Sequence, residues 1–297
     1  MSMLIVSPVY NEGRHLDRTA RAIAAQVVRP DRWVIVDDGS ADDTLQIARR
    51  WEQELDFVTV IEADDGDEGP DRLALAREAR AFNQALRFAR WEDYDYVGKL
   101  DGDVELPPEW FAQLLGRMEA DPDLGIGGGR LIEPHPGGWK MIPIPAHHVH
   151  GAVKLYRREC LRAIGGVQER LAWDTIDETY ARMRGYRTLS APDLVGRHHR
   201  AWGSADGRLR GKARHGECAW ILHHPPLWSA LRIFKLGLVR PYGLSGLAYF
   251  WGYVRAGLRR TPRVDDPEFR RFTRRELRAR MKRGARTAPA RALVGRR

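Results

Sequence analysis

Short runs of β-branched and other apolar residues alternate with segments of helical periodicity in the first part of the chain, and this alternation strongly constrains the fold. Residues 4–6 and 33–36 are brief runs of the kind that lie in a sheet covered on both faces. Between them, apolar residues recur at helical spacing over 16–27, and Pro30 follows. This order predicts a parallel α/β sheet, with ligands bound beyond the carboxyl ends of its strands.

The same alternation continues further along the chain. Residues 57–61 and 96–100 are predicted strands, and residues 77–90 are a predicted helix. Ser40, followed by Asp43, forms a capping signature at the start of another helix between the second and third strands. These segments extend the predicted α/β pattern to a fourth strand.

Charge is distributed unevenly in this chain of 297 residues, whose net charge is +9. Residues 1–196 contain 24 Lys or Arg and 34 Asp or Glu, whereas residues 255–297 contain 16 and 4. A composition with 43% hydrophobic and 30% charged residues excludes a disordered chain, collagen and a polytopic membrane protein. The chain therefore has an acidic front and a basic tail, an asymmetry that solubility alone does not explain.

The cysteine content and the first residues bear on the compartment. Two cysteines, Cys160 and Cys218, are too few for a disulfide framework or a cysteine-based zinc site. Their scarcity favours a reducing compartment. The first residues lack the basic segment, the apolar run and the small residues of a secretory signal. We therefore expect a cytoplasmic protein.

Acidic side chains form three clusters, of which two follow predicted strands and one opens a later helical stretch. They comprise Asp37 and Asp38, then Asp101 and Asp103, and then Asp174, Asp177 and Glu178. In an ordinary turn such a carboxylate caps a helix, but two carboxylates one residue apart repel each other unless a cation joins them. Hard divalent ions bind carboxylate oxygens and keep positions for water and phosphate. The Asp-x-Asp pair therefore suggests a site for Mg²⁺ or Mn²⁺.

Ordered motifs between residue 5 and about residue 200 resemble those of the inverting family 2 glycosyltransferases, which have the GT-A fold. They read Pro-Val-Tyr-Asn-Glu at 8–12, Val-Asp-Asp-Gly-Ser at 36–40, Ala-Phe-Asn at 81–83, and Lys-Leu-Asp-Gly-Asp at 99–103. The resemblance implies a GT-A catalytic domain over residues 1–226, built on a Rossmann-like mixed sheet flanked by helices. It also implies an enzyme that moves a sugar from a nucleoside-diphosphate donor to a hydroxyl acceptor.

The resemblance further implies which residues bind the donor. In that family the first two motifs form the nucleotide pocket. Pro8, Tyr10 and Glu12 would line the base and the ribose, and Asp38 would accept a hydrogen bond from the base. His198, or one of the two residues that follow it, would contact the diphosphate. Family habit favours UDP or GDP as the nucleotide.

The same resemblance assigns the Asp-x-Asp pair to the metal and the ribose. Asp103 would hold the metal that bridges the two phosphates and offsets the charge on the departing nucleoside diphosphate. Asp101 would approach the ribose or a water on the metal. Both residues are therefore predicted to contribute to the Mg²⁺ or Mn²⁺ site.

Inversion requires a carboxylate on the face of the sugar opposite the leaving diphosphate, where it removes the proton of the acceptor hydroxyl. The family places an Asp about a dozen residues before a Gly-aromatic pair, and Asp174 holds that position before the Gly-Tyr pair at 185–186. Trp173 stands where the family has Glu. Asp177 and Glu178 remain alternatives, because they lie three and four residues further on and share a helical face with Asp174.

Four further segments carry less specific predictions. The glycines at 127–129 indicate either a close backbone approach or a tight turn. The histidines at 147–150 could line the acceptor or metal site, and the basic stretch over 208–214 resembles a flexible lid or a solvated or lipid-facing surface. Residues 64–71 are polar and contain Gly and Pro, which predicts a mobile loop.

Residues 227–297 form a predicted helical, basic extension that is rich in aromatic residues and Arg. Aromatic side chains with nearby cations favour the headgroup region of an anionic membrane. The pattern predicts a peripheral protein on the inner face of the cell membrane that acts on a lipid-linked or cell-surface glycan. Alternatively, these aromatics pack against the catalytic domain or at a homo-oligomer interface.

A different class of function would use the basic extension alone. A net charge of +9 is compatible with a protein that binds nucleic acid or a membrane surface without transferase activity. The sequence contains no nucleic-acid motif, and its basic residues follow an acidic half, so no nucleic-acid partner is expected. A dinucleotide-dependent oxidoreductase is disfavoured because the first strand lacks the glycine fingerprint after it.

Overall fold

Parallel pairing of the four predicted strands places their carboxyl ends at one edge of a sheet. In the computed structural model, which describes residues 1–64, 71–200, 207–238 and 242–287, these strands are β1 (Met3–Val9), β2 (Arg32–Asp37), β3 (Val58–Glu62) and β4 (Tyr96–Leu100). They lie in the order β3-β2-β1-β4 and run parallel. The helices between them are α1 (Leu16–Ala24), α2 (Thr44–Glu54) and α3 (Arg77–Ala89). The elements predicted for this half are confirmed, with small differences at their ends.

The rest of the sheet is mixed. Its strands are β5 (Val104–Glu105), β6 (Leu124–His135), β7 (Gly138–Met141), β8 (Val153–Arg157) and β9 (Arg187–His198). β8 pairs antiparallel with β4 and with β6, whereas β6 and β9 are parallel. The helices here are α4 (Trp110–Ala120), α5 (Arg158–Ala163) and α6 (Trp173–Met183). The predicted mixed α/β fold is confirmed: the four strands predicted from sequence run parallel, and β8 runs antiparallel to β4.

Both faces of the parallel strands are buried, which explains their continuous apolar sequence. Successive side chains point to opposite faces, so Ile5 packs with Trp33 in one apolar cluster, while Leu4 and Val6 pack with Phe82 in the other. Burying each such side chain stabilises the fold by about 1.5–3 kcal/mol. The polar residues at the strand ends are therefore held on a rigid frame.

β6 passes so close to its neighbours that only glycine fits at its centre. A Cβ atom at Gly128 would lie 2.5 Å from Val149 Cγ1 and 2.7 Å from the carbonyl oxygen of Val153. The glycines at 127–129 all lie within this strand. The prediction of a close backbone approach is confirmed, and the tight-turn alternative is wrong.

The predicted capping signature before α2 has a different role. The helix begins at Thr44, and Ser40 Oγ accepts a hydrogen bond of 3.0 Å from the backbone N–H of Asn11. Asp42 accepts hydrogen bonds of 3.1 Å from the backbone N–H groups of Gly13 and Thr44. The prediction of a cap at Ser40 is therefore wrong, because these side chains tie the loop after β2 to the loop after β1.

The chain divides into a first unit, Met1–Trp202, and a second unit, Gly203–Arg297. Helices of the second unit are α7 (Arg208–Ile221), α8 (Pro226–Gly237), α9 (Leu244–Leu258) and α10 (Pro267–Thr287). α7 packs tightly on α9, since a Cβ atom at Gly252 would overlap the carbonyl oxygen of Ala213. The boundary expected at 226/227 lies inside the second unit, after the first residue of α8.

Two further segments and the character of the helices bear on the sequence predictions. Residues 208–214 form the first turns of α7 rather than the loop that a flexible lid would need. Residues 65–70, within the predicted mobile loop, lie outside the described residues. Among the helices that the structure describes, none combines the length and the apolar character needed to cross a membrane.

Candidate active site

Two strand ends and one short strand bring two carboxylates and a histidine together. Asp101 follows β4 directly, and Asp103 lies just before β5, whose Val104 pairs with His198 at the end of β9. Asp103 Oδ1 lies 3.3 Å from His198 Nε2. One ligand atom from each of Asp101, Asp103 and His198 lies within 4.8 Å of the other two. Oxygen and nitrogen donors this close together could hold one metal ion.

The surroundings of His198 stabilise positive charge. Its Nδ1 lies 3.3 Å from Glu133 Oε1, and its Nε2 faces Asp103. Burial lowers the pKa of His198, but hydrogen bonds to Asp103 and Glu133 outweigh this effect and raise it to about 10. A carboxylate behind a histidine is also common at metal sites, where it orients the ring.

Glu12, from the loop after β1, borders this cluster. Arg200 Nη2 lies 2.5 Å from Glu12 Oε2, and Arg200 Nε lies 3.7 Å from Asp103 Oδ2. Burial and the neighbouring Asp103 raise the pKa of Glu12 to about 8, although Arg200 opposes the shift. Gly102 permits this close packing, since a Cβ atom there would lie 2.8 Å from Val9 Cγ1 and 3.2 Å from Glu12 Cγ. The carboxylates of Glu12, Asp101 and Asp103 thus concentrate negative charge at a place where a bound cation would offset it.

The region predicted to bind the base contains two arginines that the sequence motifs did not indicate. Arg77 Nη2 lies 2.7 Å from Oδ1 of the buried Asp38, and Arg72 also forms an ion pair with that carboxylate. The Arg72 guanidinium lies 3.4 Å from the centre of the exposed Tyr10 ring. Pro8 is half-buried near the end of β1. Tyr10 and Asp38 therefore lie together and share Arg72 as a partner.

Two buried lysines occupy paired positions on neighbouring strands. Lys99 of β4 and Lys154 of β8 are opposite each other in the antiparallel register, and both side chains are fully buried. Lys99 Nζ contacts the carboxylates of Glu78 and Asp101. The centre of the Trp173 ring lies 5.5 Å from Lys99 Nζ and 5.4 Å from Lys154 Nζ. Trp173 therefore packs against both ammonium groups.

Lys154 anchors the start of α6. Its Nζ donates a hydrogen bond of 2.7 Å to the backbone carbonyl of Asp174 and bonds of 3.1 and 3.0 Å to the two carboxylate oxygens of Asp177. The Tyr156 hydroxyl also donates to Asp177. One ammonium group thus fixes the backbone of one candidate base and the side chain of another.

The three candidate bases differ in how open their carboxylates are. Asp177 and Glu178 are buried, and Glu178 accepts a hydrogen bond of 2.7 Å from the Val149 N–H. Burial raises the pKa of Asp177 to about 6, although Lys154 opposes the shift. Asp174 is half-buried, and no side chain in the described parts of the chain hydrogen-bonds or ion-pairs with its carboxylate. Asp174 is therefore the open carboxylate of the group.

A comparison with known protein families shows which family this chain belongs to. The family model described as "Glycosyl transferase family 2" matches residues 4–165, more than half of the chain. The chain belongs to glycosyl transferase family 2. Its predicted membership in that family is confirmed.

This family 2 chain is also similar to curated polysaccharide synthases. It is 31% identical over 137 residues to "Chondroitin synthase" of Pasteurella multocida (strain Pm70), which covers 46% of this chain and 13% of that protein. It is 27% identical over 120 residues to "Poly-beta-1,6-N-acetyl-D-glucosamine synthase" of Staphylococcus aureus (strain COL), covering 40% and 26%. The similarity thus spans well under half the length of either relative.

Solved structures of low sequence identity share the fold. Mannosyltransferase PcManGT from Pyrobaculum calidifontis, in complex with GDP-Man and Mn²⁺, has a TM-score of 0.56 at 20% identity, over 96% of this chain and 80% of that one. S. aureus TarS 1-349, in complex with UDP-GlcNAc, has a TM-score of 0.54 at 15% identity, over 89% and 74%. These similarities confirm the predicted GT-A fold of the family 2 chain.

The structure arranges the predicted site residues in three groups. They are Pro8, Tyr10 and Asp38; then Glu12, Asp101, Asp103 and His198; and then Asp174, Asp177 and Glu178. The loop after β1 contributes to the first two groups, and Trp173 with its two lysines connects the second group to the third. The roles assigned to these residues in donor binding, metal binding and catalysis stay predictions.

Sequence reasoning missed the cations that pair with these carboxylates. Lys99 and Lys154 each interrupt an apolar strand, and a charged side chain there needs a buried partner, so that pattern was a usable signal. Arg72 and Arg77 lie in no motif and carried no such signal. Of the histidines at 147–150, His148 contacts Glu178 at 3.1 Å. Within the described residues, the cluster able to hold a metal contains none of these histidines.

Proposed function

We propose that this family 2 protein is a metal-dependent, inverting glycosyltransferase that moves a sugar from a nucleoside diphosphate to the hydroxyl group of an acceptor. The observation that carries the proposal is the cluster of Asp101, Asp103 and His198, whose ligand atoms lie within 4.8 Å of one another. A protein that only bound a surface or a nucleic acid would leave this largely buried, charged cluster without a role.

The donor set of this cluster fits a hard divalent cation, either Mg²⁺ or Mn²⁺, because both bind carboxylate oxygens and Mn²⁺ also accepts imidazole. When held by Asp101, Asp103 and His198, the cation would supply Lewis acidity that offsets the charge of the leaving nucleoside diphosphate. Glu133 would orient the His198 ring from 3.3 Å away. Arg200, 3.7 Å from Asp103, would add a fixed positive charge near the diphosphate.

Asp174 is the proposed general base. It would remove the proton of the acceptor hydroxyl as that oxygen bonds to the anomeric carbon and the bond from this carbon to the diphosphate breaks. Attack from the face opposite the diphosphate inverts the configuration. Gly151 lies between the proposed base and the metal cluster. Its carbonyl accepts a hydrogen bond of 3.0 Å from Lys99, which contacts Asp101. A Cβ atom at Gly151 would lie 3.5 Å from Asp174 Cβ.

The nucleotide is proposed to bind beside the loop after β1. Pro8, Tyr10 and Glu12 would line the base and ribose, and the exposed Tyr10 ring offers a flat surface for a base. Asp38 would accept a hydrogen bond from the base, in competition with its present arginine partners. UDP and GDP donors are both proposed, since PcManGT was solved with GDP-Man and TarS with UDP-GlcNAc.

The proposed acceptor is a glycan, either lipid-linked or at the cell surface. Support comes from relatives named for the synthesis of chondroitin and of poly-beta-1,6-N-acetyl-D-glucosamine. We propose that the protein meets this acceptor from the cytoplasm, at the inner face of the cell membrane.

A donor screen tests the proposal. Thermal unfolding of the protein would be measured with a panel of UDP, GDP and dTDP sugars, each with Mn²⁺ and with a chelator. We expect one donor to raise the melting temperature only with Mn²⁺, since a ligand at 100 times its Kd stabilises by about 2.7 kcal/mol. Chromatography of the released nucleoside diphosphate would then report hydrolysis or transfer. No stabilisation and no release with any donor would contradict the proposal.

A further inference from the structure

The second unit exposes an unusual concentration of apolar surface. Of the 19 large apolar side chains that are exposed among the described residues, ten lie between residues 227 and 258. Isolated exposed apolar residues are normal on soluble proteins, but a contiguous patch marks a binding surface. Two consecutive helices, α8 and α9, carry eight of these ten side chains.

The exposed apolar side chains of α8 form one stripe. Leu227, Leu231, Phe234 and Leu238, the last directly after the helix, follow one another at intervals of four, three and four residues, which places them on one helical face. Each of them is 51–69% exposed. Ser229, on the opposite face, is buried. α8 therefore turns an apolar face to the outside.

α9 has a corresponding stripe. Leu244, Leu247, Trp251 and Leu258 share one face and are 50–76% exposed. The opposite face contains Gly252, which packs against α7. Because α7 occupies that face, α9 cannot rotate its apolar stripe inward without breaking the packing of the unit.

Basic side chains accompany the two stripes. Arg232 and Lys235 are exposed on α8, and Arg255 is exposed on α9 beside the stripe. On α10, exposed cations recur at helical spacing at residues 271, 275, 278 and 282. Residues 203–297 contain 23 Lys or Arg and six Asp or Glu. This excess of positive charge opposes pairing with a second copy and favours an anionic partner.

We propose that the second unit binds the interface of an anionic lipid bilayer through the apolar stripes of α8 and α9. The helices lie in the plane of the interface, so their apolar faces meet the acyl chains while their other faces stay packed within the unit. Arg232, Lys235 and Arg255 contact the phosphate groups of the lipids. A nucleic acid would engage the cations alone and leave the apolar stripes in water, so it accounts for only half of the surface.

Co-sedimentation with vesicles tests the proposal on the full chain. We expect binding to vesicles of equal parts phosphatidylcholine and phosphatidylglycerol, and much weaker binding to pure phosphatidylcholine. Phe234→Glu should weaken binding roughly tenfold or more, because it removes a large apolar side chain from the interface. Phe88→Glu, an exposed phenylalanine on α3 of the first unit, is the matched control and should leave binding unchanged.

A second variant keeps the test decisive if Phe234→Glu does not fold. Lys235→Gln changes only an exposed side chain and should weaken binding to the anionic vesicles about fivefold. The proposal would be overturned if the wild-type protein failed to sediment with anionic vesicles. It would also be overturned if Phe234→Glu and Phe88→Glu weakened vesicle binding equally. A dimer that dissociates in Phe234→Glu without vesicle binding would assign the surface to a second copy, and binding of an oligonucleotide without vesicle binding would assign it to nucleic acid. Donor binding with Mn²⁺ should be the same in all variants, so this result does not depend on the transferase proposal.

Discussion

The two units place their charges in opposite ways. Among the residues that the structure describes, every buried charged side chain lies in the first unit, including Lys99, Lys154, Asp103 and Asp177. The second unit keeps its described cations outside the core and exposes large apolar side chains instead. A buried charge is tolerated only with a close partner, whereas a solvated charge is nearly independent of its neighbours. Removing a charge should therefore alter catalysis or folding in the first unit, but only association in the second.

The largest expected effect of a single charge in the first unit is on transfer. Asp174→Asn keeps the shape of the side chain but cannot accept the proton of the acceptor hydroxyl. We expect transfer to fall by about 10²–10⁴, with donor binding retained because Asp174 lies outside the predicted nucleotide and metal groups. Single-turnover assays of transfer, with calorimetric titration of the donor and Mn²⁺, measure the two quantities separately.

Asp177→Asn is the matched control, since it makes the same chemical change one helical turn away. Asp177 is buried against Lys154 and Tyr156, so its loss should lower stability while folded protein still transfers sugar. If Asp174→Asn stayed fully active and Asp177→Asn did not, the base would be Asp177 or its neighbour Glu178.

The next largest effect concerns folding. Lys154→Met removes the cation that two buried carboxylates, Asp177 and Glu178, share. We expect the free energy of unfolding in urea to fall by about 3–5 kcal/mol, because the carboxylates stay buried without their partner. The double variant Lys154→Met/Asp177→Asn should recover part of this loss. If Lys154→Met alone were as stable as the wild type, Lys154 would not be needed to stabilise the buried carboxylates of Asp177 and Glu178.

The same contrast shows why some features were predictable from sequence and others were not. The strands β1 to β4 and the Asp101–Asp103 pair each depend on a few neighbouring residues in the sequence. The strands, and the acidic residues that follow β4, could therefore be predicted correctly. The pairing of Lys99 with Lys154 depends on β8 entering the sheet antiparallel to β4, and no local pattern records that register. The packing of α7 on α9 is equally absent from local patterns, since the contact of Gly252 with Ala213 joins residues far apart in sequence.

Substitutions in the proposed metal cluster should lower donor affinity, and this effect should be smaller than the effects described above. Asp103→Asn removes the charge of one proposed metal ligand, and we expect donor affinity in the presence of Mn²⁺ to fall about 100-fold, to the level seen with a chelator. Glu133→Gln acts only through the His198 ring, so its effect should be nearer tenfold. Donor titrations with and without Mn²⁺ give both values. Unchanged Mn²⁺ dependence in Asp103→Asn would move the metal to other residues.

The smallest expected effect sharpens the comparison most directly. Lys235→Gln removes one ammonium group from the second unit, as Lys154→Met does from the first, but the Lys235 side chain is exposed. We expect its free energy of unfolding in urea to stay within about 0.5 kcal/mol of the wild type, since no buried carboxylate loses a partner. Lys235→Gln and Lys154→Met thus differ mainly in burial. If Lys235→Gln lowered the free energy of unfolding as much as Lys154→Met, the exposed cations would also stabilise the fold of the second unit. The proposed difference between the charges of the two units would then be wrong.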